Sequence, residues 1–146
     1  MIYWIQRSIR FSIQKLRLPL SSVAILSRSN RQAEEIAQKM RNHGLRTEYM
    51  EGRKLDLNKE CVKSLTIHAA KGLEFPVVAL GYVEEGNLPN WSNYSDELGE
   101  LELNLQRRLL YVGCSRAMRR LLVAYRKGMK SRFLQDLSCW KMDSIK

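Results

Sequence analysis

The residues best suited to binding chemistry lie in a short segment between two apolar runs, His68–Phe75. Within it Lys71 offers a point charge, Gly72 permits a sharp turn and Glu74 offers an acceptor for a sugar hydroxyl. His68 adds a flat donor at the start. Such a loop suits a phosphodiester chain on one side and a nucleotide on the other. An ordinary connection with solvated Lys71 and Glu74 explains the same composition, and composition alone does not decide between the two.

Two arginines occupy positions from which a guanidinium can reach an anion. Arg28 follows an apolar run and precedes a capped helix, whose N-terminal N–H groups favour anions. Arg116 lies at the end of a predicted helix, Leu101–Ala117, and continues an apolar stripe made by Leu105, Leu109 and Val112. The planar arginine fork suits phosphate oxygens, and an arginine finger accelerates phosphoryl transfer by roughly 10³–10⁵. The alternatives are a solvated turn arginine at 28 and a cation favoured by the helix dipole at 116.

An alternation of strands and helices is predicted to position these residues. Apolar spacing predicts a leading helix within residues 1–20 and a helix after the capping pair Ser29 and Gln32. An acidic loop is expected at residues 84–100, and a closing helix over Lys130–Leu137. The predicted strands are Val23–Leu26, Arg46–Met50, Val62–His68, Val77–Val83 and Leu121–Tyr125. This order predicts one α/β domain, residues 1–146, whose mainly parallel sheet is covered by helices on both faces.

Charge favours a polyanionic partner. The 146 residues carry 25 basic and 15 acidic side chains, a net charge of +10. The charge is uneven: Glu84–Glu102 holds six acids and no Lys or Arg, whereas Leu103–Lys130 holds eight bases and no acid. A basic surface without a partner is the alternative.

Other classes of protein are disfavoured by composition. No apolar run approaches the roughly 18 residues that span a bilayer, so no membrane association is expected. The three cysteines, Cys61, Cys114 and Cys139, are widely spaced and form no Cys-x-x-Cys pair. With two histidines in the chain, we predict no metal site and a cytoplasmic protein with reduced thiols, of the kind found in a bacterial cytosol.

No complete triphosphate site is present in the sequence. A phosphate-cradling loop requires Gly-x-x-x-x-Gly-Lys-[Ser/Thr], and the 146 residues contain no such run. The chain alone is therefore expected to lack ATPase activity.

Three segments in order resemble the C-terminal RecA-like domain of UvrD/Rep/PcrA-type superfamily 1 DNA helicases. Ala24–Asn30 resembles motif IV, Thr66–Phe75 resembles motif V, and Arg107–Ala117 resembles motif VI. The resemblance runs from about Ser22 to Tyr125. It implies a RecA-like, P-loop NTPase-like fold and a motor domain of an ATP-dependent, 3′–5′ DNA helicase.

The resemblance also implies roles for single residues. Arg28 and Arg116 are expected to act catalytically on the γ-phosphate of ATP. Gly72 and Glu74 are expected at the nucleotide, Glu74 at its ribose. The residues expected at single-stranded DNA are Thr66, His68 and Lys71. Most of the ATP and its Mg²⁺ is expected on an N-terminal RecA-like motor domain, in the same chain or a separate one.

The sequence departs from the family pattern at three places. Ser27 stands where an adenine-stacking aromatic residue is common, and Gln106 stands where an acidic residue is usual. Family members often carry a large inserted subdomain between motifs IV and V, and only the short segment Met50–Val62 stands in its place here, so we expect a compact variant without the insertion. A free-standing nucleic-acid-binding or regulatory module derived from a helicase remains the alternative function, and a degenerate remnant with a structural role is a third.

Overall fold

The computed structural model describes residues 1–51, 54–92 and 94–135. Its regular elements follow one another as α1 (Ile2–Leu16), β1 (Val23–Ser27), α2 (Asn30–Asn42), β2 (Thr47–Tyr49), β3 (Val62–Thr66), β4 (Phe75–Leu80), α3 (Gly99–Cys114) and β5 (Ala117–Val123). Short 3₁₀ turns are also described at Leu20–Ser22 and Arg132–Leu134. In the described residues no helix combines the length and apolar character needed to cross a bilayer.

The five strands form one parallel sheet in the order β2-β3-β1-β4-β5. β1 is central, with Leu26 opposite Leu65 of β3 on one side and Leu80 of β4 on the other. Because parallel neighbours cannot be joined by a tight turn, every connection must return along the length of the sheet. The predicted α/β class with a mainly parallel sheet is confirmed.

Side chains alternate between the two faces of the sheet and build two cores. On one face, Ile5 and Ile9 of α1 and Ile36 and Met40 of α2 pack against the sheet. On the other, Leu110 of α3 packs with the connection between β3 and β4. Helices therefore cover both faces, as the alternation of elements predicts.

The start of α2 depends on half of the predicted capping box. The Ser29 hydroxyl accepts a hydrogen bond from the Gln32 backbone N–H at 3.4 Å. The Gln32 side chain does not return to Ser29, because it donates to Asn87 Oδ1 at 2.6 Å. At the other end of the helix, Gly44 takes the left-handed conformation (φ 76°) expected of a glycine after a helix.

A buried lysine fixes the amino end of β3. Lys63 is fully buried, and its ammonium donates to the carbonyls of Ser21, Lys59 and Cys61 at 2.8, 3.0 and 3.3 Å. Burial lowers the pKa of this lysine below its ordinary value. Three carbonyl partners satisfy the three ammonium donors, so the side chain ties β3 to the segment that enters β1.

The stripe predicted for the motif VI helix is wrong by one position. α3 ends at Cys114, and its buried residues include Gln106, Leu110 and Gly113, whereas Leu105 is 49% exposed. Leucines occupy several sides of this helix, so periodicity alone cannot select the buried side. The buried side is the one at which α3 comes closest to β4, because a side-chain carbon at Gly113 would lie 3.0 Å from Leu80 Cδ2.

The last part of the chain also differs from prediction. Strand β5 begins at Ala117, four residues before the predicted start, so Arg116 lies between α3 and β5. The closing helix predicted over Lys130–Leu137 is wrong: Arg132–Leu134 forms a single 3₁₀ turn. The two final residues of that predicted helix, 136 and 137, lie outside the described part of the chain.

Candidate functional site

The connection between β3 and β4 crosses the sheet without a helix. β3 ends at Thr66 and β4 begins at Phe75, and both strands run parallel to β1, which lies between them. The eight residues Ile67–Glu74, here called the crossover loop, therefore run from the carboxyl end of the sheet to its amino end. One short segment touches both ends of the domain.

The first half of the crossover loop is a compact turn at the carboxyl end of the sheet. The Thr66 hydroxyl accepts from the Ala69 N–H at 3.0 Å, and its carbonyl accepts from the Ala70 N–H at 3.1 Å. Ile67 and Ala70 are buried, whereas His68 is exposed. The buried residues anchor the turn and present the imidazole to solvent.

The second half of the crossover loop reaches the amino end of the sheet. Lys71, Gly72 and Glu74 are exposed, and Gly72 has φ 80°. The left-handed conformation explains why glycine occupies this position. The Phe75 N–H then donates to the carbonyl of Arg116 at 2.9 Å, which joins the end of the loop to the segment between α3 and β5.

The Arg116 guanidinium is half-buried against the crossover loop. Nη1 donates to the Leu73 carbonyl at 3.3 Å, Nε to the Val112 carbonyl at 3.1 Å, and Nη2 to the Ser115 hydroxyl at 2.9 Å. A guanidinium has five N–H donors, so these contacts leave two for an external acceptor. The contact with Val112 is also the favourable position of a cation at a helix C-terminus. Arg116 thus combines a structural role with spare capacity for an anion.

Arg28 lies at the other end of the sheet. It directly follows β1, where Ser27 is level with Thr66 and the Ser27 carbonyl accepts from the Ile67 N–H at 2.9 Å. Arg28 is half-buried, and within residues 1–51, 54–92 and 94–135 its side chain has no hydrogen-bond or ion-pair partner. It therefore shares the carboxyl end with Thr66 and His68.

The structure does not bring Arg28 and Arg116 together. Arg28 lies two residues beyond Leu26, which is level with Leu80, and Leu80 lies five residues beyond Phe75. At about 3.3 Å per residue, the backbone of Arg28 is about 23 Å along the strands from the Phe75–Arg116 contact. The expectation that both arginines act on one γ-phosphate is therefore not supported by this geometry.

The two departures from the motif pattern have clear structural places. Ser27 is buried, and its hydroxyl donates to the Ser29 carbonyl at 3.3 Å, so this position does not offer a ring for adenine. Gln106 is also buried: its amide oxygen accepts from the Asn90 N–H at 2.6 Å and its amide nitrogen donates to the Asn90 carbonyl at 2.9 Å. Gln106 therefore ties the acidic loop to α3, a role that the sequence pattern did not reveal.

Pairing neutralises part of the acidic loop. Fully buried Glu84 accepts from Arg126 Nη2 at 2.8 Å and Nε at 2.9 Å, and Glu85 pairs with Arg132 at 3.1 Å. The signal for the first pair was an acid directly after the predicted strand Val77–Val83, which sequence reasoning assigned to the acidic loop.

The aromatic residues of the acidic loop pack within the protein. The Trp91 and Tyr94 rings meet edge to face, with centroids 5.3 Å apart, and the Arg132 guanidinium lies 4.5 Å from the Trp91 centroid. The two rings are therefore held by contacts with each other and with Arg132.

Burial keeps the thiol next to this site uncharged. Cys114 ends α3, and burial raises the pKa of its thiol to about 11. A thiol with this pKa is protonated at neutral pH and does not contribute charge beside Arg116.

Comparison with known proteins gives a consistent result. The family model of the UvrD-like helicase C-terminal domain matches residues 46–128, more than half of the chain. DNA helicase II of Haemophilus influenzae is 39% identical over 90 residues, which cover 55% of this chain and 12% of that protein. The PcrA helicase of Bacillus subtilis is 44% identical over 69 residues, covering 47% of this chain and 9% of that protein. The chain thus spans about a tenth of the length of these relatives.

Solved structures share the fold. The C-terminal domain of a possible DNA helicase from Lactobacillus plantarum superposes with a TM-score of 0.63 at 24% identity, covering 91% of this chain and 70% of that one. The helicase domain of Hef from Pyrococcus furiosus gives a TM-score of 0.52 at 13% identity, covering 94% of this chain and 28% of that one. These likenesses confirm the RecA-like α/β fold, and together with the family model they establish that the chain belongs to the UvrD-like helicase C-terminal domain family.

Proposed function

We propose that this chain is the C-terminal motor domain of an ATP-dependent DNA helicase, with its nucleotide contacts and its DNA contacts at opposite ends of the sheet. The observation that carries the proposal is the crossover loop, because one eight-residue segment begins beside His68 and ends against Arg116. The direction of movement, 3′ to 5′, is proposed from family likeness.

The amino end of the sheet suits a nucleotide held mainly by another domain. Gly72 and Glu74 are exposed, and Arg116 retains two N–H donors, so this end offers a ribose acceptor and a phosphate ligand. It offers no loop that could cradle a triphosphate by itself. ATP with Mg²⁺ on an N-terminal motor domain, in the same chain or a separate one, would supply the phosphoryl chemistry. Arg116 would stabilise charge that develops at the phosphate.

The carboxyl end of the sheet suits single-stranded DNA. Exposed His68 and half-buried Arg28 lie on adjacent strands at this end, and Thr66 holds the turn that presents His68. Lys71 is exposed at the start of the second half of the loop, and its N–H donates to the His68 carbonyl at 3.1 Å, so its charge lies beside the turn that presents His68. We assign Arg28 to this DNA side rather than to the γ-phosphate, because of its distance from Arg116.

The crossover loop would couple the two ends. Arg116 bonds to the loop at Leu73, and the loop is anchored at Ile67 and Ala70 by burial. Movement of the Arg116 guanidinium on binding or releasing a phosphate would alter its hydrogen bond to Leu73, and through the loop it would alter the orientation of the turn that carries His68. Translocation along one DNA strand requires an affinity for that strand that changes with the bound nucleotide.

Oligonucleotide binding by the purified chain tests the proposal. We expect His68→Ala to weaken binding of a fluorescent oligothymidylate, measured by anisotropy, whereas His43→Ala should not. His43 is the matched control, because it is the second histidine, is also exposed, and lies at the C-terminus of α2. The chain should hydrolyse no ATP with or without the oligonucleotide. Steady ATP turnover by the chain alone, or equal binding by both variants, would contradict the proposal.

A further inference from the structure

A row of alternating aromatic and basic residues runs along the outer side of α1. Tyr3, Arg7, Phe11 and Lys15 recur every four residues, so they follow one side of the helix over about 18 Å. All four are exposed, Tyr3 by 64% and Phe11 by 48%. The buried residues Ile5, Ser8, Ile9 and Ser12 lie on the other side of the helix, so the two rings and the two cations share its solvent-facing side.

Strand β5 adds cations beside this row. α1 packs over β4 and β5, and Arg120 of β5 reaches the ring of Phe11. We call the outer side of α1 together with Arg119 and Arg120 the α1–β5 surface. Neither Ile2–Leu16 nor Ala117–Val123 contains an acidic residue, so these two elements supply only positive charge.

Two of these cations converge on one ring. Lys15 Nζ lies 5.6 Å and Arg120 Cζ 5.1 Å from the centroid of Phe11. Like charges repel, and the electron-rich face of the ring offsets only part of that repulsion. An anion between Lys15 and Arg120 would remove it. The exposed Tyr3 ring lies eight residues from Phe11 and can stack on a base. Proteins that bind single strands commonly combine cations at the phosphates with aromatic rings at the bases.

The buried side of α1 argues against a membrane as the anionic partner. A helix that binds a lipid surface turns its apolar side towards the acyl chains. In this protein the apolar side, with Ile5 and Ile9, is fully buried against the sheet. What remains outside is basic and aromatic, which fits a polyanionic strand lying along the surface.

We propose that the α1–β5 surface binds the phosphodiester backbone of single-stranded nucleic acid, with Lys15 and Arg120 at a phosphate and Tyr3 at a base. This contact is separate from the one at the carboxyl end of the sheet, because α1 covers the sheet face opposite α3. The choice of nucleic acid as the ligand rests in part on the proposed function. The position of Lys15 and Arg120 around Phe11 is independent of that function.

A salt series with the full chain tests this surface. For single strands, log affinity falls with log salt by about 0.7 for each phosphate contact. Because Lys15 and Arg120 are placed at one phosphate, Lys15→Gln with Arg120→Gln should reduce the slope by about 0.7, so that its affinity deficit is about two- to threefold larger at 50 mM than at 200 mM salt. Binding of fluorescent oligothymidylate is measured by anisotropy, and circular dichroism verifies that the variants are folded.

A matched double variant removes the same charge near the opposite edge of the sheet. Arg46 and Lys54 are both exposed near β2, the edge strand farthest from β5. Arg46→Gln with Lys54→Gln should retain the wild-type slope. Phe11→Leu keeps both cations but removes the ring that gathers them, and should weaken binding about two- to fivefold. A wild-type slope in the Lys15/Arg120 variant, or equal losses in both double variants, would overturn the proposal.

Two further comparisons distinguish this proposal from a lipid-binding site and from the proposed contact at the carboxyl end of the sheet. If the Lys15/Arg120 variant loses binding to phosphatidylserine vesicles but keeps oligonucleotide binding, the surface is a lipid site and the proposal fails. If that variant loses oligonucleotide affinity while His68→Ala does not, this surface is upheld and the proposed contact at the carboxyl end of the sheet is rejected. The reverse result rejects this surface and leaves the proposed function standing.

Discussion

A single amide shows how a residue that departs from its family pattern is accommodated. Gln106 both donates to and accepts from the backbone of Asn90, with N···O distances of 2.9 and 2.6 Å. A carboxylate could accept but could not donate, and it would face both the Asn90 carbonyl and Glu102, to which Gln106 donates at 3.1 Å. The acidic residue usual at this position therefore does not suit the acidic loop of this chain.

We expect Gln106→Glu to lower the free energy of unfolding by about 1–3 kcal/mol at pH 7, because a buried carbonyl loses its donor and a charge is buried beside it. The folded state should raise the pKa of the new carboxyl above its unfolded value of about 4.3. The deficit is then fully present above the folded-state pKa and shrinks as the pH falls from that pKa towards about 4.3, because the protonated acid can donate again. Urea unfolding at pH 7 and pH 4 measures both effects. Gln38→Glu, on the exposed side of α2, is the control and should change stability by less than about 0.5 kcal/mol.

At the scale of elements, helix α3 shows what sequence patterns can and cannot predict. The apolar runs of β1 and β4 and the cap at Ser29 predicted their elements well, because burial and capping leave local signals. The stripe on α3 was wrong, because the side that packs is selected by the room at Gly113, where the distance to Leu80 is a property of the assembled sheet. The position of Arg116 beyond α3 has the same origin, since β5 begins where pairing with Phe75 allows.

The close approach of α3 to the sheet makes Gly113 sensitive to added volume. A side-chain carbon there would lie 3.0 Å from Leu80 Cδ2 and 3.3 Å from Ile67 Cδ1, so valine would force α3 outward. We expect Gly113→Val to destabilise the protein by about 1–3 kcal/mol, the usual cost of overfilling a packed core. Leu105→Val places a β-branched residue on the exposed side of the same helix and should cost about 0.5 kcal/mol or less. Equal midpoints in urea for the two variants would show that α3 does not pack as closely as described.

For the whole molecule, the parallel topology places Arg28 and Arg116, which the motif pattern had assigned to one phosphate, at opposite ends of the sheet. The sequence could not show that the crossover loop joins opposite ends of the sheet, because that connection depends on the strand order. Sequence reasoning selected Thr66, His68 and Arg116 as candidate site residues, and their roles stay predictions. It placed Arg28 directly after a strand, but it could not show how far Arg28 lies from Arg116, because the register between β1, β4 and β5 is a long-range property.

The assignment of Arg28 to the DNA side makes a prediction that the γ-phosphate assignment does not. Arg28→Gln should weaken oligothymidylate binding by the purified chain and reduce its salt slope by about 0.7, the value of one phosphate contact. Arg46→Gln, which removes an exposed arginine next to the amino end of β2, should leave the slope unchanged. Anisotropy titrations in the absence of nucleotide separate the two roles, because an arginine that acts only on ATP has no effect there. A wild-type slope for Arg28→Gln would contradict the assignment of Arg28 to the DNA side.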